Sequence, residues 1–293
     1  MKVLVAYDGS SLANAAIEDL PKAGLPQTGK VLVVSVGNNG GASFGSHGRF
    51  DEHRALAESA HQHIQRNLPR WTVWSEGLRG EVSEVLLDVC GWWNPDLLVV
   101  GSHGRSRAGR LLMGSVSQDL VHQAPCSVRV VRDGRRSIGD GPLRMLIGHD
   151  GSIQADAVVR SVACRSWPAD TEVQIISVVQ TLAPATVAAL EFNTCVQEPA
   201  CTVVREVDER EQHRLTAVSD GAVHLLRGAG LKSHFSVVEG DPQEIILAEA
   251  DLSNVKTIFV GARGKGALQR LLLGSVSTHV VTHAHCTVEV VRT

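Results

Sequence analysis

Residues 111–117 read Leu-Leu-Met-Gly-Ser-Val-Ser, and residues 271–277 read Leu-Leu-Leu-Gly-Ser-Val-Ser. When both stretches are extended to Arg132 and Arg292, 13 of the 22 aligned positions are identical. The amino ends of the copies also correspond, because VAYDGS at 5–10 is matched by IGHDGS at 147–152. A repeat of this length indicates two tandem copies of one domain and is too long for a solenoid. We therefore predict a first domain at 1–133, a polar, turn-rich linker at 134–142 and a second domain at 143–293.

The composition is that of a folded globular protein. The chain has 293 residues, of which 43% are apolar and 20% charged, too apolar for a disordered chain. Its 28 Lys and Arg against 31 Asp and Glu give a net charge of −3, so we expect neither nucleic acid nor a membrane surface as a partner. No apolar run approaches the roughly 20 residues of a membrane span, and Asp8 comes too early for a signal-peptide core. Six scattered cysteines without a C-x-x-C fit a reducing compartment, so we predict a cytoplasmic protein.

Within each copy, short β-branched runs alternate with helical patterns, which predicts an α/β fold with a parallel sheet covered by helices. Apolar runs such as residues 97–100 (LLVV) show no alternation, as expected for strands buried on both faces. The first copy is predicted to form strands at 2–6, 30–36, 71–74, 96–100 and 127–132 and helices at 11–22, 51–67, 81–92 and 115–122. The second copy is predicted to form strands at 143–147, 172–178, 232–238, 256–260 and 287–292.

A glycine pattern follows the fourth predicted strand of each copy. Gly101-x-x-Gly104 is followed by nine residues and then Gly114-Ser115, and Gly261-x-x-Gly264 by nine residues and then Gly274-Ser275. Glycine at a strand exit lets the backbone approach a ligand closely, and the free N–H groups of the helix that follows attract an anion. Together these features favour a phosphate-binding loop. The alternative for Ser115 and Ser275 is that each merely caps its helix.

An aspartate at the exit of the first strand forms the second part of this pattern, as Asp8-Gly9-Ser10 in the first copy and Asp150-Gly151-Ser152 in the second. In an open parallel sheet, ligands bind beyond the carboxyl ends of strands where the strand order reverses, which brings Asp8 opposite Gly101. A carboxylate repels phosphates unless a cation intervenes, so the aspartate is assigned to an adenine or ribose group. Helix capping by Asp8 and Asp150 is the alternative.

These residues resemble the universal stress protein family, and the resemblance covers nearly the whole chain as a tandem pair. The pattern G-x-x-G-(nine)-G-[S/T] is the form associated with ATP-binding members. The resemblance implies two Rossmann-like, doubly wound domains, each with five parallel strands in the order 3-2-1-4-5, and ATP as the ligand, with magnesium as a companion ion. The implied first site comprises Asp8, Gly9, Ser10, Val36, Gly101, Gly104, Gly114, Ser115, Val116 and Ser117. The implied second site comprises Asp150, Gly151, Ser152, Val178, Gly261, Gly264, Gly274, Ser275, Val276 and Ser277.

The copies also differ from a typical member and from each other. His149 replaces a small or apolar residue, and His285 stands where the first copy has Pro125. The second copy is 18 residues longer in its middle, an excess that we place between 181 and 204 and interpret as a lid, a docking surface or a disordered insertion. The family also implies that the fifth strands pair edge to edge within the chain; further homodimerisation and a protein partner remain open.

Several side chains outside this pattern were considered as ligands. The basic residues of the glycine loops either neutralise phosphate charge or form a solvated surface; they are Arg105, Arg107, Arg110, Arg263, Lys265 and Arg270. His279 and His283 are spaced i,i+4, but without a third ligand we predict no metal site.

Two functions remain: an ATP-binding protein of stress response or regulation, and a nucleotide-free interaction scaffold of the same fold. The first strand-to-helix turn lacks G-x-G-x-x-G, and Lys265-Gly266 breaks the P-loop pattern, so a dehydrogenase and a P-loop phosphotransferase are excluded. No catalytic set can be assigned from the spacing, so we predict at most a slow ATPase.

Overall fold

A computed structural model of the protein describes residues 1–37, 46–104, 113–132, 141–180, 200–264 and 273–292. Its strands are β1 (Lys2–Ala6), β2 (Lys30–Gly37), β3 (Thr72–Arg79), β4 (Leu97–Gly101), β5 (Ser127–Val131), β6 (Arg144–Gly148), β7 (Glu172–Val179), β8 (Lys232–Glu239), β9 (Thr257–Gly261) and β10 (Thr287–Val291). They form one ten-stranded sheet in the order β3-β2-β1-β4-β5-β10-β9-β6-β7-β8. The predicted α/β class is confirmed, and each half has the strand order 3-2-1-4-5.

The α-helices cover both faces of this sheet. Those of the described residues are α1 (Ser11–Asp19), α2 (Ser46–Asn67), α3 (Val82–Trp93), α4 (Ser115–Gln123), α5 (Ile153–Ala163), α6 (Ala200–Gly228), α7 (Pro242–Leu252) and α8 (Ser275–His283). Within the described ranges, no helix is both long and apolar enough to cross a membrane. Residues 134–140 of the predicted linker lie outside the described residues. Residues 181–199 of the predicted insertion do so as well.

Two predicted boundaries were wrong by five residues. The third strand was predicted at 71–74, but β3 continues to Arg79 and pairs with β2 from Lys30↔Thr72 to Gly37↔Arg79. The second half of β3 is polar because β3 is the edge of the sheet and alternate residues are exposed, so its pairing depends on the backbone of β2 rather than on an apolar pattern. Helix α2 begins at Ser46, five residues before the predicted position.

Three apolar clusters stabilise the sheet. One lies on the face covered by α3, α4, α7 and α8 and is continuous across both halves, with Val128 and Val288 at its centre. The opposite face carries two separate clusters, one beneath α1 and α2 and one beneath α5 and α6. The sheet is therefore buried on both sides, which explains the uniformly apolar runs of its central strands.

The two halves meet at β5 and β10, the one antiparallel pair among the described strands, with the register Val130↔Val288, Arg129↔Glu289 and Val128↔Val290. Two arginines cross this boundary reciprocally. Arg132 donates to the carbonyl oxygens of Val281 and Thr282 in the last turn of α8, and Arg292 donates to those of Val121 and His122 in the last turn of α4. A guanidinium at a helix C-terminus satisfies carbonyls that have no partner within the helix. Each half therefore caps a helix of the other.

Candidate functional site

The sequence-predicted residues gather at two equivalent crevices. In the first half β1 lies between β2 and β4, and in the second β6 lies between β7 and β9, so the strand order reverses at each of these places. A Cβ atom on Gly104 would lie 2.9 Å from Oδ2 of Asp8, and one on Gly264 would lie 2.5 Å from Oδ2 of Asp150. Each aspartate thus lies against the second glycine of its loop, at a distance that only glycine permits. A Cβ atom on Gly101 would lie 3.0 Å from the backbone of Leu12, so this glycine packs closely against α1.

The aspartates close a tight turn at the start of each crevice. Oδ1 of Asp8 accepts a hydrogen bond from the Ser10 N–H at 2.9 Å, and Oδ1 of Asp150 accepts one from the Ser152 N–H at 3.0 Å. The serine hydroxyls are the N-caps, because each accepts from the backbone N–H three residues later. The alternative in which the aspartates cap α1 and α5 is therefore wrong. Gly9 (φ 79°) and Gly151 (φ 73°) supply the left-handed residue between aspartate and serine.

The helices α4 and α8 present their N-termini to the crevices. Their N-caps are Gly114 and Gly274, neither of which has a side chain to cap the helix. The first amides bonded within the helices are those of Gln118 and Thr278, which donate to the glycine carbonyls at 2.9 Å. The three preceding amides of each helix have no intrahelical acceptor and lie at the positive end of the helix dipole.

The serines of these two helices have different roles. Ser115 and Ser275 are exposed first residues of their helices and do not cap them, so the capping alternative is wrong. The hydroxyl of Ser117 donates to the Gly101 carbonyl at 2.8 Å, and that of Ser277 donates to the Gly261 carbonyl at 2.6 Å. These two hydroxyls fix the N-terminus of each helix to the exit of the strand before it.

In the second half the crevice is a cavity of about 490 Å³. It is lined by every predicted second-site residue except Gly151 and Ser152. Its apolar wall is formed by Val178 with Ile176 of β7 and Ile246 of α7, and its opposite end by the glycine loop and the first turn of α8. In the first half Val36 occupies the position of Val178, at the carboxyl end of β2 and partly buried against the core.

Sequence reasoning missed the contribution of α6 to this cavity. Glu211 lines the cavity, and Arg214 donates to the carbonyl oxygens of Asp150 at 2.9 Å and Gly151 at 3.3 Å. Arg214 also pairs with Glu211 at 2.8 Å, and the hydrogen bond to Glu211 raises the pKa of the Arg214 guanidinium. An arginine three residues after a glutamate on one helix is a common surface pattern, so no sequence signal marked this pair.

His149 also lines the cavity, and its side chain makes contacts that a small residue at this position could not make. The imidazole is buried, its Nε2 lies 3.1 Å from Oδ1 of Asp156, and its Nδ1 accepts from the Gly151 N–H at 3.3 Å. Burial lowers the pKa of His149, although Asp156 opposes this effect. The equivalent Tyr7 donates to Oδ1 of Asn14 at 2.7 Å, so each half ties the end of its first strand to its first helix.

Of the basic loop residues, Arg263 lies in the cavity wall, and the others fall outside the described residues. His279 and His283 stack with ring centroids 4.1 Å apart. In the described part of the chain no cluster of three or more His, Cys, Asp or Glu side chains could hold a metal ion.

A known protein family matches both halves of the chain. A model of the universal stress protein family matches residues 1–132 and again residues 143–292. The chain belongs to the universal stress protein family. Among curated members, a universal stress protein of Mycolicibacterium smegmatis is 27% identical over 221 residues, which cover 75% of this chain and 69% of that protein. A universal stress protein of Mycobacterium tuberculosis is 26% identical over 210 residues, which cover 67% of this chain and 62% of the relative.

A solved structure has the same fold over its full length. The universal stress protein from Archaeoglobus fulgidus DSM 4304 superimposes with a TM-score of 0.64 at 21% identity, covering 99% of this chain and 96% of that chain. A putative universal stress protein from Pseudomonas aeruginosa UCBPP-PA14 superimposes with a TM-score of 0.60 at 12% identity, covering 99% and 92%. At these identities the likeness establishes the fold alone.

Proposed function

We propose that this universal stress protein binds ATP at the glycine loop of each half and acts in stress response or regulation. The observation that carries the proposal is the second-half cavity, in which Gly264, Gly274 and the first turn of α8 form one wall. Its volume of about 490 Å³ lies in the range of small-molecule sites, roughly 300–1,000 Å³.

The phosphate end of the proposed site is made by backbone. The amides of Ser275, Val276 and Ser277 precede the first bonded amide of α8, so they donate to phosphate oxygens in the field of the helix dipole. A Cβ on Gly274 would lie 3.6 Å from the Ala262 carbonyl oxygen and 3.7 Å from the Gly264 nitrogen, against the backbone that follows β9. Arg263 adds a positive charge to the same wall.

The adenosine end is apolar with a carboxylate beside it. Val178, Ile176 and Ile246 provide a surface for the base, and the Asp150 carboxylate accepts hydrogen bonds from an amino or ribose hydroxyl group. Magnesium is proposed as the companion of the phosphates, with Glu211 as a carboxylate in the cavity wall. Both nitrogens of His149 are engaged within the protein, so it does not serve as a general base. The proposed role is therefore binding rather than turnover.

The test uses Gly114→Val/Gly274→Val, which places a branched side chain in both proposed phosphate cradles. Freshly purified protein is denatured, the released small molecules are identified and counted by mass spectrometry, and ATP binding is titrated calorimetrically in magnesium. We expect one adenine nucleotide per half in the wild type and none in the variant. The matched control is Gly91→Val/Gly221→Val, one exposed helical glycine in each half with open space at Cβ, which should bind as the wild type does.

Undiminished ATP binding by the double variant contradicts the site assignment. One nucleotide per chain shows that the halves have diverged. A wild type that neither carries nor binds nucleotide supports the scaffold function instead.

A further inference from the structure

The boundary between the halves contains a buried charge pair at a special position. Arg129 of β5 and Glu289 of β10 are both fully buried and directly opposite each other, with Arg129 Nη1 and Glu289 Oε2 3.0 Å apart. The valines on either side pair symmetrically about them, Val130 with Val288 and Val128 with Val290. Positions 129 and 289 are equivalent in the two copies, so an approximate twofold axis passes through this pair.

The pair belongs to a line of alternating charges across the boundary. Arg129 Nε donates to Asp19 Oδ2 at 2.6 Å, and Nη2 donates to the Thr257 hydroxyl at 3.1 Å. On the other side, Glu289 accepts from both Nη1 and Nη2 of Arg165. The order is Asp19, Arg129, Glu289, Arg165, so every charge has an opposite neighbour. These residues lie on the sheet face where the apolar clusters of the two halves are separate.

The valine pairing and the helix caps at this boundary do not distinguish the halves. The four flanking residues are valine in both copies, and Arg132 and Arg292 cap the opposite helices in the same manner. Two first halves joined by the same symmetry would retain these contacts but would place Arg129 against a second Arg129. Two second halves would place Glu289 against a second Glu289. Buried like charges strongly disfavour such pairs.

We propose that this boundary is a charge-coded interaction surface, on which the first half accepts only a second half of this chain and rejects a copy of itself. Arg129 and Glu289 carry the code. The valine strands and the reciprocal helix caps hold two halves together. The Arg129–Glu289 pair on the approximate twofold axis determines which halves associate.

Both groups are ionised at neutral pH, as the code requires. Burial lowers the pKa of Arg129, but Asp19 and Glu289 outweigh it, so the pKa of the guanidinium lies above its ordinary value. Burial raises the pKa of Glu289, but Arg165 and Arg129 outweigh it, so the pKa of the carboxyl lies below its ordinary value.

The test begins with the full-length folded protein. A protease site is placed within 134–142 and cut after purification, and isotope-labelled and unlabelled samples are mixed and held until label has been exchanged between pairs. Native mass spectrometry then reads the composition of the pairs, because the two halves differ in mass. For the wild type we expect only pairs of a first half with a second half.

The code is removed with Arg129→Met/Glu289→Gln, in which residues 129 or 289 of two like halves no longer meet as like charges. We expect pairs of identical halves to rise towards half of all pairs, the share given by random association. The matched control is Arg144→Met/Glu172→Gln, which makes the same two changes at an exposed ion pair within the second half and should behave as the wild type.

Three results overturn the proposal: identical pairs at the random share in the wild type, separation of the wild-type halves on cleavage, or an unchanged exclusive pairing in the double variant. The wild-type measurement decides by itself if the double variant does not fold.

Discussion

Neutralising Glu289 should weaken the whole protein measurably. In Glu289→Gln the size of the side chain is kept, but the largely buried Arg165 loses the carboxylate of Glu289 and Arg129 retains only that of Asp19. At 3.0 Å and an effective dielectric constant of about 20, the Coulomb attraction of one such ion pair is about 5.5 kcal/mol before desolvation. Breaking a buried pair by removing one partner costs about 3–5 kcal/mol.

This free energy converts to a shift in melting temperature. For 293 residues, an unfolding entropy of about 2.1 cal/mol/K per residue gives about 0.6 kcal/mol/K, so the expected loss is about 5–8 °C. Differential scanning calorimetry at pH 7 measures it.

The matched control is Glu172→Gln. The Arg144–Glu172 pair has the same 3.0 Å separation, but its side chains are 46% and 39% exposed. Such a pair contributes about 0–1 kcal/mol, so the control should lose less than about 2 °C. Equal losses in the two variants would refute the assignment of stability to the buried network.

The loss of stability in Glu289→Gln should also depend on pH. Burial raises the pKa of Glu289, but Arg165 and Arg129 hold it below its ordinary value of 4.5. A carboxyl with a depressed pKa contributes stability that is complete above the unfolded pKa and is lost as pH falls through the folded pKa. The melting-temperature gap between wild type and Glu289→Gln should therefore be constant from neutral pH down to about pH 5 and narrow at lower pH. A gap that does not change below pH 4.5 contradicts this.

Two further predictions concern the second crevice. Gly151→Ala adds left-handed backbone strain (φ 73°) and an overlap of the new Cβ with the Arg214 guanidinium. In the control Gly230→Ala (φ 84°) the Cβ enters open space, and strain alone costs about 1–2 kcal/mol. Urea denaturation should show a larger loss of unfolding free energy for Gly151→Ala than for Gly230→Ala, and equal losses would exclude the overlap. His149→Tyr/Asp156→Asn copies the pair of the first half. Because burial lowers the pKa of His149 below its ordinary 6.5, the wild type should lose more thermal stability than the variant as pH falls below that value. Parallel pH profiles of the two proteins would contradict this.

Much of the fold and of the glycine loops was predictable from the sequence. Three local patterns were sufficient: the repeat at 111–117 and 271–277, the apolar strands and the spacing of the glycines. Each predicts structure correctly because a strand, a turn or a helix N-terminus is formed by residues that are close in sequence. The exposed half of β3 was missed because its pairing depends on β2, a distant part of the chain.

The side chains around the loops were less predictable. The choice between Asp8 and Ser10 as helix cap turned on which oxygen reaches which amide, and both residue types are good caps. Glu211 and Arg214 enter the second crevice from α6, more than sixty residues along the chain from Asp150.

The sequence by itself determined that the chain is two copies of one α/β unit and that each copy carries a glycine loop before a helix, because these properties reside in periodicity and spacing. Only the tertiary structure decided that Arg129 and Glu289 meet in register on an approximate twofold axis, with Asp19 and Arg165 completing the line. In the sequence an arginine and a glutamate within two valine-rich strands look like ordinary polar interruptions. Their role depends on burial and on direct opposition between residues 160 positions apart, both of which follow from how the two halves of the sheet join.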